Sequence, residues 1–199
     1  MYMEKKGFTI IELIMTMLLA AILAAVAAPY LFRGQAPLTV PAFARKVADD
    51  IRYAQSLAML RGGLDTPQTV NPYFLYRVRF NVADANCVGA NQYAIVNDAD
   101  NNGAWGENPN GSGQVESGRL PSTGAEYFCV SMESGDYAGF TATANFGGSI
   151  PGVLSFDSLG VPLDSDGAAL TAAKTITVSR GGESALITVT PNTGFTAVQ

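Results

Sequence analysis

The sequence contains no histidine and only two cysteines, and these absences exclude several kinds of site. Without imidazole, a chain has no Ser/His/Asp or Cys/His nucleophilic site and no His-ligated zinc. Two cysteines are too few for a four-cysteine zinc site or an iron–sulfur cluster. Enzymes that use carboxylates, binding modules and structural or assembly proteins remain.

Basic residues are also scarce, since 12 Lys and Arg stand against 17 Asp and Glu. The pI is about 4.6. From Gly63 onward the chain has five basic and thirteen acidic residues, a net charge of −8. Arg77 and Arg79 could form a small basic patch, but the overall field repels phosphate. The charge distribution therefore argues against a nucleic-acid partner.

Residues 13–32 form a run of twenty residues without a charge. As a helix, this run is about 30 Å long, which matches the hydrocarbon core of a bilayer. Lys5 and Lys6 precede it, so the positive-inside rule places the N-terminus in the cytoplasm. The sequence therefore predicts a single membrane helix at 8–33, with the remaining chain outside the cytoplasm.

A cleaved secretory signal peptide and a plain membrane anchor are the alternatives for this segment. The run is longer than the apolar core of about 7–15 residues in a signal peptide. Glu12 also lies at the start of the run, where a carboxylate costs up to about 3 kcal/mol on insertion scales. Neither alternative accounts for that carboxylate.

The stretch KKGFTIIELIMTMLLAAILAAVAAP, which begins at Lys5, resembles the signal of type IV pilins and type II secretion pseudopilins. The resemblance implies that a prepilin peptidase cleaves between Gly7 and Phe8 and N-methylates Phe8. It also implies that Glu12 attracts the N-terminal amine of a neighbouring subunit and so sets the axial register of a filament. The alanines of the run favour close helix packing, and Pro29 is expected to bend the helix.

After the membrane segment, the predicted fold is α+β. A proline-containing linker and an amphipathic stalk helix are expected over 34–62, with Phe43, Val47, Ile51 and further residues on its apolar face and Lys46 and Asp50 on its polar remainder. Pro37 and Pro41 disfavour helical geometry before them, and Gly62 and Gly63 end the helix. Residues 63–199 form a globular domain with a mostly antiparallel sheet packed on this helix. The predicted strands cover 74–82, 92–96, 127–131, 140–144, 153–156, 175–179 and 185–190.

A second resemblance concerns the C-terminal part of the chain. The stretches VLSFDSLGVPLDSDG and KTITVSRGGESALITVTPNTGF are similar to the end of GspH/FimT-type minor pilins and pseudopilins, in which a Gly-x-Pro turn precedes two strands. The helix sequence DIRYAQSLAMLRGG also resembles that group. Some FimT-like proteins bind DNA through a basic tail, but no Lys or Arg follows Arg180 here.

Cys87 and Cys129 lie in the domain predicted to be outside the cytoplasm, where oxidation is permitted. A disulfide between them is favoured over two buried free thiols. It would contribute about 4 kcal/mol in the chain-entropy model.

Asp98, Asp100 and Asn102, followed by a glycine, match the first half of a calcium-binding loop, and Glu107 could complete a shorter loop. Some major pseudopilins hold calcium. The alternative is a solvated turn, and no other cofactor is expected. Trp105 lies in the same Asn- and Gly-rich stretch and is either an exposed contact residue or a cap over the core. The carboxylates of Asp157, Asp164 and Asp166 show no spacing that singles out a catalytic pair.

The predicted function is therefore a non-enzymatic minor pilin or pseudopilin. It is anchored in the bacterial inner membrane with its C-terminal domain in the periplasm, and it is assembled into a type II secretion pseudopilus or a type IV pilus. The expected partners are other pilins, the prepilin peptidase and the inner-membrane assembly platform. A major pilin and a filament-tip subunit for adhesion or DNA uptake remain as alternatives.

Overall fold

The computed structural model describes residues 9–31, 38–61, 76–83, 86–87, 89–98, 104–107 and 116–199. The chain divides into two compact units, Met1–Pro37 and Leu38–Gln199. The first unit contains one described helix, α1 (Ile10–Leu31). The second contains helix α2 and the strands of an α+β domain, as predicted.

Helix α2 (Val40–Arg61) begins with an N-cap. Thr39 accepts the N–H of Phe43 at its carbonyl oxygen (3.0 Å) and the N–H of Ala42 at Oγ1 (3.4 Å). Pro41 lies inside the first turn of α2, so the prediction that it keeps Val40 out of a helix is wrong. Proline is tolerated there because the N–H groups of the first turn have no intrahelical acceptor, so the N–H that proline lacks breaks no helix hydrogen bond. Leu38 and Thr39 are not helical, and the predicted terminator Gly62-Gly63 lies outside the described residues.

The strands of the described chain form two antiparallel sheets, whereas one sheet was predicted. The first has the order β3-β2-β1-β5-β6 and the second the order β4-β7-β8-β9. The strands of the first sheet are β1 (Tyr76–Phe80), β2 (Gln92–Val96), β3 (Phe128–Ser131), β5 (Val153–Phe156) and β6 (Pro162–Leu163). Those of the second are β4 (Thr141–Ala144), β7 (Lys174–Arg180), β8 (Glu183–Val189) and β9 (Thr196–Val198).

Helix α2 contacts both sheets, and one core lies between these three elements. Phe43, Val47 and Ile51 are fully buried on the predicted apolar face of the helix. The Phe43 ring lies 4.5 Å from Phe140 and 5.1 Å from Tyr137, measured between ring centroids. In β1 the alternation is also confirmed, because Tyr76, Val78 and Phe80 are buried while the two arginines between them are half-buried. Burial of this apolar surface is the main source of stability in the domain.

Two turns of the C-terminal region are attached to α2 by one side chain. The amide of Gln55 donates to the carbonyl oxygens of Gly160 (2.8 Å) and Thr193 (2.7 Å). In the first of these turns, Asp157 Oδ1 accepts the N–H groups of Leu159 and Val161 at 2.9 and 2.8 Å. This carboxylate therefore acts as a turn former, as Asp residues before glycine commonly do.

Candidate functional site

The start of α1 presents one carboxylate among exposed apolar side chains. The N–H of Glu12 donates to Thr9 at its carbonyl oxygen (3.1 Å) and at Oγ1 (3.3 Å), which fixes the first helical turn. Ile11 and Leu13 on either side of Glu12 are 72% and 51% exposed. Neither of the two ion pairs found among the described residues includes Glu12. In an apolar environment, the counter-charge of this carboxylate would come from outside the described part of the chain.

All described side chains of α1, from Ile10 to Val26, are exposed, and most of them are large and apolar. A surface of this kind in isolation marks contact with lipid or protein. Within the described residues, the structure contains no helix with the length and apolarity needed to span a membrane. The predicted cleavage residues Gly7 and Phe8 lie outside the described residues, so the processing site stays a prediction.

A disulfide joins Cys87 to Cys129, with their Cα atoms 5.5 Å apart. It attaches the segment before β2 to strand β3 and belongs to a second small core with Ala94 and Val96. The Gln92 amide donates to the carbonyl oxygen of Cys87, which attaches the same segment to the start of β2 as well. The disulfide therefore fixes a covering layer, which contains Cys87 and Trp105, on the face of the first sheet that does not contact α2.

Reduction of this disulfide is expected to lower the free energy of unfolding by about 2–4 kcal/mol, because the bond closes a loop over a sequence separation of 42. Urea unfolding of the full chain in detergent, with and without reductant, measures the change, and fluorescence of the single tryptophan reports on the covering layer. A Cys87→Ser/Cys129→Ser variant should match the reduced protein and respond to no reductant. Equal unfolding midpoints with and without reductant would contradict the expectation.

Trp105 caps this second core, which decides between the two roles left open by the sequence. The guanidinium of Arg77 stacks on its ring, with Cζ 3.5 Å from the ring centroid. Arg77 also donates to the carbonyl oxygen of Ser165 (3.2 Å), and Arg79 donates to that of Trp105 (3.3 Å). Burial, together with Arg79, lowers the pKa of Arg77 to about 10, so this side chain stays charged at neutral pH. The two arginines therefore hold the covering layer in place, which is a different role from the phosphate-binding patch considered from sequence.

Only part of the predicted calcium loop lies in the described chain. Asp98 is buried and Glu107 is half-buried, whereas Asp100 and Asn102 lie outside the described residues. Hydrogen bonds from Gly106 N to Asn97 O (3.2 Å) and from Glu116 N to Glu107 O (2.9 Å) close the base of the loop. The described residues contain no group of three or more carboxylate, cysteine or histidine ligands. The calcium site stays a prediction.

Sequence reasoning missed a buried ionic cluster on α2. Lys46 and Asp50 were expected on the polar face, but Asp50 is only 8% exposed and faces the first sheet. Lys46 Nζ lies 2.6 Å from Asp50 Oδ2 and donates to the hydroxyl of Tyr93 at 3.0 Å, while that hydroxyl donates to Asp50 Oδ2 at 2.5 Å. Burial, followed by the charge and hydrogen bond of Asp50, raises the pKa of Tyr93 well above its usual value. The i, i+4 spacing of Lys46 and Asp50 was the only signal in the sequence, and many solvated pairs share it.

Comparison with known protein families identifies the N-terminal segment of the chain. Residues 3–28 match the protein-family model described as the prokaryotic N-terminal methylation motif. Gly7, Phe8 and Glu12 all lie inside the matched segment. No curated protein and no solved structure matches the chain significantly. The motif supports the type IV pilin and pseudopilin family, and with it a precursor that is cleaved, methylated and assembled with other pilins.

Proposed function

We propose that this chain is a GspH/FimT-like minor pilin or pseudopilin, a structural subunit of a type II secretion pseudopilus or a type IV pilus. The methylation motif at residues 3–28 is the observation that carries the proposal. The start of α1 agrees with it, because Glu12 stands there in an exposed apolar surface. In a filament, the apolar helices of neighbouring subunits would replace lipid around α1. The N-terminal amine of a neighbouring subunit would supply the counter-charge for Glu12.

In this proposal, prepilin peptidase removes residues 1–7 on the cytoplasmic side and methylates Phe8. The subunit then waits in the inner membrane with its α+β domain in the periplasm. Assembly moves the apolar helix from lipid into a bundle of sibling helices. The Phe8 ammonium lies only four residues before Glu12 in sequence, so one subunit offers both a cation and an anion for pairing with its neighbours.

The proposed role is not enzymatic. Asp157, Asp164 and Asp166 support this view, because each accepts hydrogen bonds within its own turn or from the neighbouring one. The bond from Ser149 is the largest cause of the lowered pKa of Asp166, so this carboxylate stays ionised at neutral pH. Carboxylates held in this way act as turn formers.

Processing is tested by the N-terminus of the mature protein. Mass spectrometry of the protein from the membrane fraction should find an N-terminal Phe8 that carries one methyl group. Gly7→Val should accumulate at the mass of the unprocessed precursor, because the larger side chain obstructs the peptidase. A protein that starts at Met1, or one cut after the apolar run as a secretory signal would be, contradicts the proposal. The abundance of the subunit in sheared filaments then separates a minor from a major pilin.

A further inference from the structure

Strand β3 forms an open edge of the first sheet, because it pairs with β2 on one side. Just beyond β3, the N–H of Met132 donates to Asn91 O of the β2 side at 2.9 Å. In an antiparallel ladder the direction of the main-chain groups alternates along the strand. Cys129 and Ser131 therefore direct their N–H and C=O groups away from β2. Within the part of the chain that the structure describes, no hydrogen bond to these outward groups is found.

A cavity of about 400 Å³ runs along this edge. Cys129, Val130 and Ser131 form one wall, and Leu120 and Thr123 lie on a second. The short 3-10 turn at Gly135–Tyr137 forms a third wall. This volume lies within the range of pockets that hold small ligands or side chains. The edge thus offers unbonded main-chain groups next to room for a side chain.

The charge of the cavity favours a cation. Lys46 lines it, but the ammonium is neutralised by Asp50 at 2.6 Å. Asp136 on the third wall is exposed and forms neither of the ion pairs found in the described residues. Burial is the largest cause of the raised pKa of Tyr137, and the charges of Asp50 and Asp136 add to it. The ring of Tyr137 already lies 5.4 Å from Lys46 Nζ, measured to the ring centroid, so the exposed carboxylate of Asp136 is the group that would attract a further cation.

We propose that the edge of β3 binds an extended segment of a partner polypeptide, which adds to the first sheet as a further strand and places a Lys or Arg side chain near Asp136. Main-chain hydrogen bonds to Cys129 and Ser131 would give affinity, and the acidic cavity would select the basic side chain. An edge strand that pairs with a specific segment also avoids uncontrolled pairing with other copies. This surface does not depend on the proposed filament role.

The test uses the full chain in detergent micelles and a set of short, end-capped peptides. The peptides carry threonine at every second position and Lys, Arg, Glu, Val or Tyr between them, so all of them favour extended structure. Fluorescence anisotropy measures their binding. We expect Lys- and Arg-containing peptides to bind several times more tightly than Glu-containing ones. Ser131→Pro should weaken this binding about tenfold, because it removes one outward N–H and obstructs the added strand.

Ser131→Ala is the matched control and should bind as the unaltered protein does, since its main chain is unchanged. Asp136→Lys should abolish the preference for basic peptides, whereas Glu183→Lys, in an exposed position at the start of β8, should leave it unchanged. The proposal is overturned if no peptide of the set binds with a Kd below about 1 mM, or if a folded Ser131→Pro protein binds as tightly as Ser131→Ala. If Ser131→Pro does not fold, an unaltered preference in Asp136→Lys overturns it instead.

Discussion

Cells that produce Glu12→Gln are expected to cleave and methylate the precursor normally but to lose the subunit from their filaments. The substitution keeps the shape of the side chain and removes its charge. An ammonium of a neighbouring subunit would then be buried without a counter-charge. Breaking a buried pair in this way costs about 3 kcal/mol or more, which is about a hundredfold in an equilibrium constant. Immunoblots of sheared filaments and of membranes measure the distribution.

The position of Glu12 makes this test selective. Its side chain is exposed and forms neither of the ion pairs of the described residues, so the substitution should not affect the stability of the α+β domain. Glu12→Asp is the matched variant, because it keeps the charge on a shorter side chain and should retain part of the assembly. Glu183→Gln changes an exposed carboxylate of the domain and should assemble normally. Wild-type amounts of Glu12→Gln in filaments would refute the charge-pairing role.

Lys46→Met is expected to lower the free energy of unfolding of the α+β domain by about 2–3 kcal/mol. Among the described residues, the change leaves buried Asp50 with the Tyr93 hydroxyl as its hydrogen-bond donor. The value lies below the usual cost of about 3–5 kcal/mol for a broken buried pair, because the side chains of Lys46 and Asp50 keep 23% and 12% exposure. Urea unfolding followed by fluorescence of Trp105 measures the loss.

The same helix supplies the control for this prediction. Arg52 and Asp49 are also 2.6 Å apart, but their side chains are 46% and 68% exposed. Asp49→Asn should therefore change stability by less than about 1 kcal/mol. The double variant Lys46→Met/Asp50→Asn should recover part of the loss, since asparagine still accepts the bond from Tyr93 and carries no charge. Equal effects of Lys46→Met and Asp49→Asn would contradict the structural assignment.

Alkaline pH should affect the same cluster. The pKa of Tyr93 is raised in the folded state, so its contribution to stability is complete below the unfolded pKa of about 10. That contribution is lost as the pH rises from about 10 through the folded value, because the unfolded tyrosine ionises first. Tyr93→Phe should accordingly show a weaker loss of stability above pH 10 than the unaltered protein.

Local sequence patterns predicted those strands that have a clear alternation or an uninterrupted buried run. β2 and β5 agree with prediction at both ends, and the ends of β3, β4, β7 and β8 differ by one or two residues. The short edge strands β6 and β9 were missed. β6 has two residues and contains Pro162, and β9 has three, so neither carries a period that can be recognised. Their pairing is imposed by the neighbouring strands.

The division into two sheets was also not predicted from the sequence. Antiparallel strands separated by glycine turns are compatible with one sheet or with two, because a turn residue does not specify which strand its neighbour will pair with. The choice of pairing partners divides the strands into two sheets. β4 pairs with β7, whereas β5, which directly follows β4 in the chain, pairs with β1. This arrangement lets α2 bury its apolar face against both sheets.

The absence of histidine and the scarcity of basic residues, together with the signal around Gly7, Phe8 and Glu12, determined the class of function that we propose. Such signals are local, since a peptidase and a membrane recognise them in an extended or helical segment without a folded domain. Tertiary structure alone decided that Asp50 is buried with Lys46 and Tyr93. It also decided that Trp105 caps a second core with the Arg77 guanidinium stacked on its ring, and that β3 forms an open edge. Each of these depends on contacts between segments distant in the chain, and a residue's polarity does not state which partner the fold will bring to it.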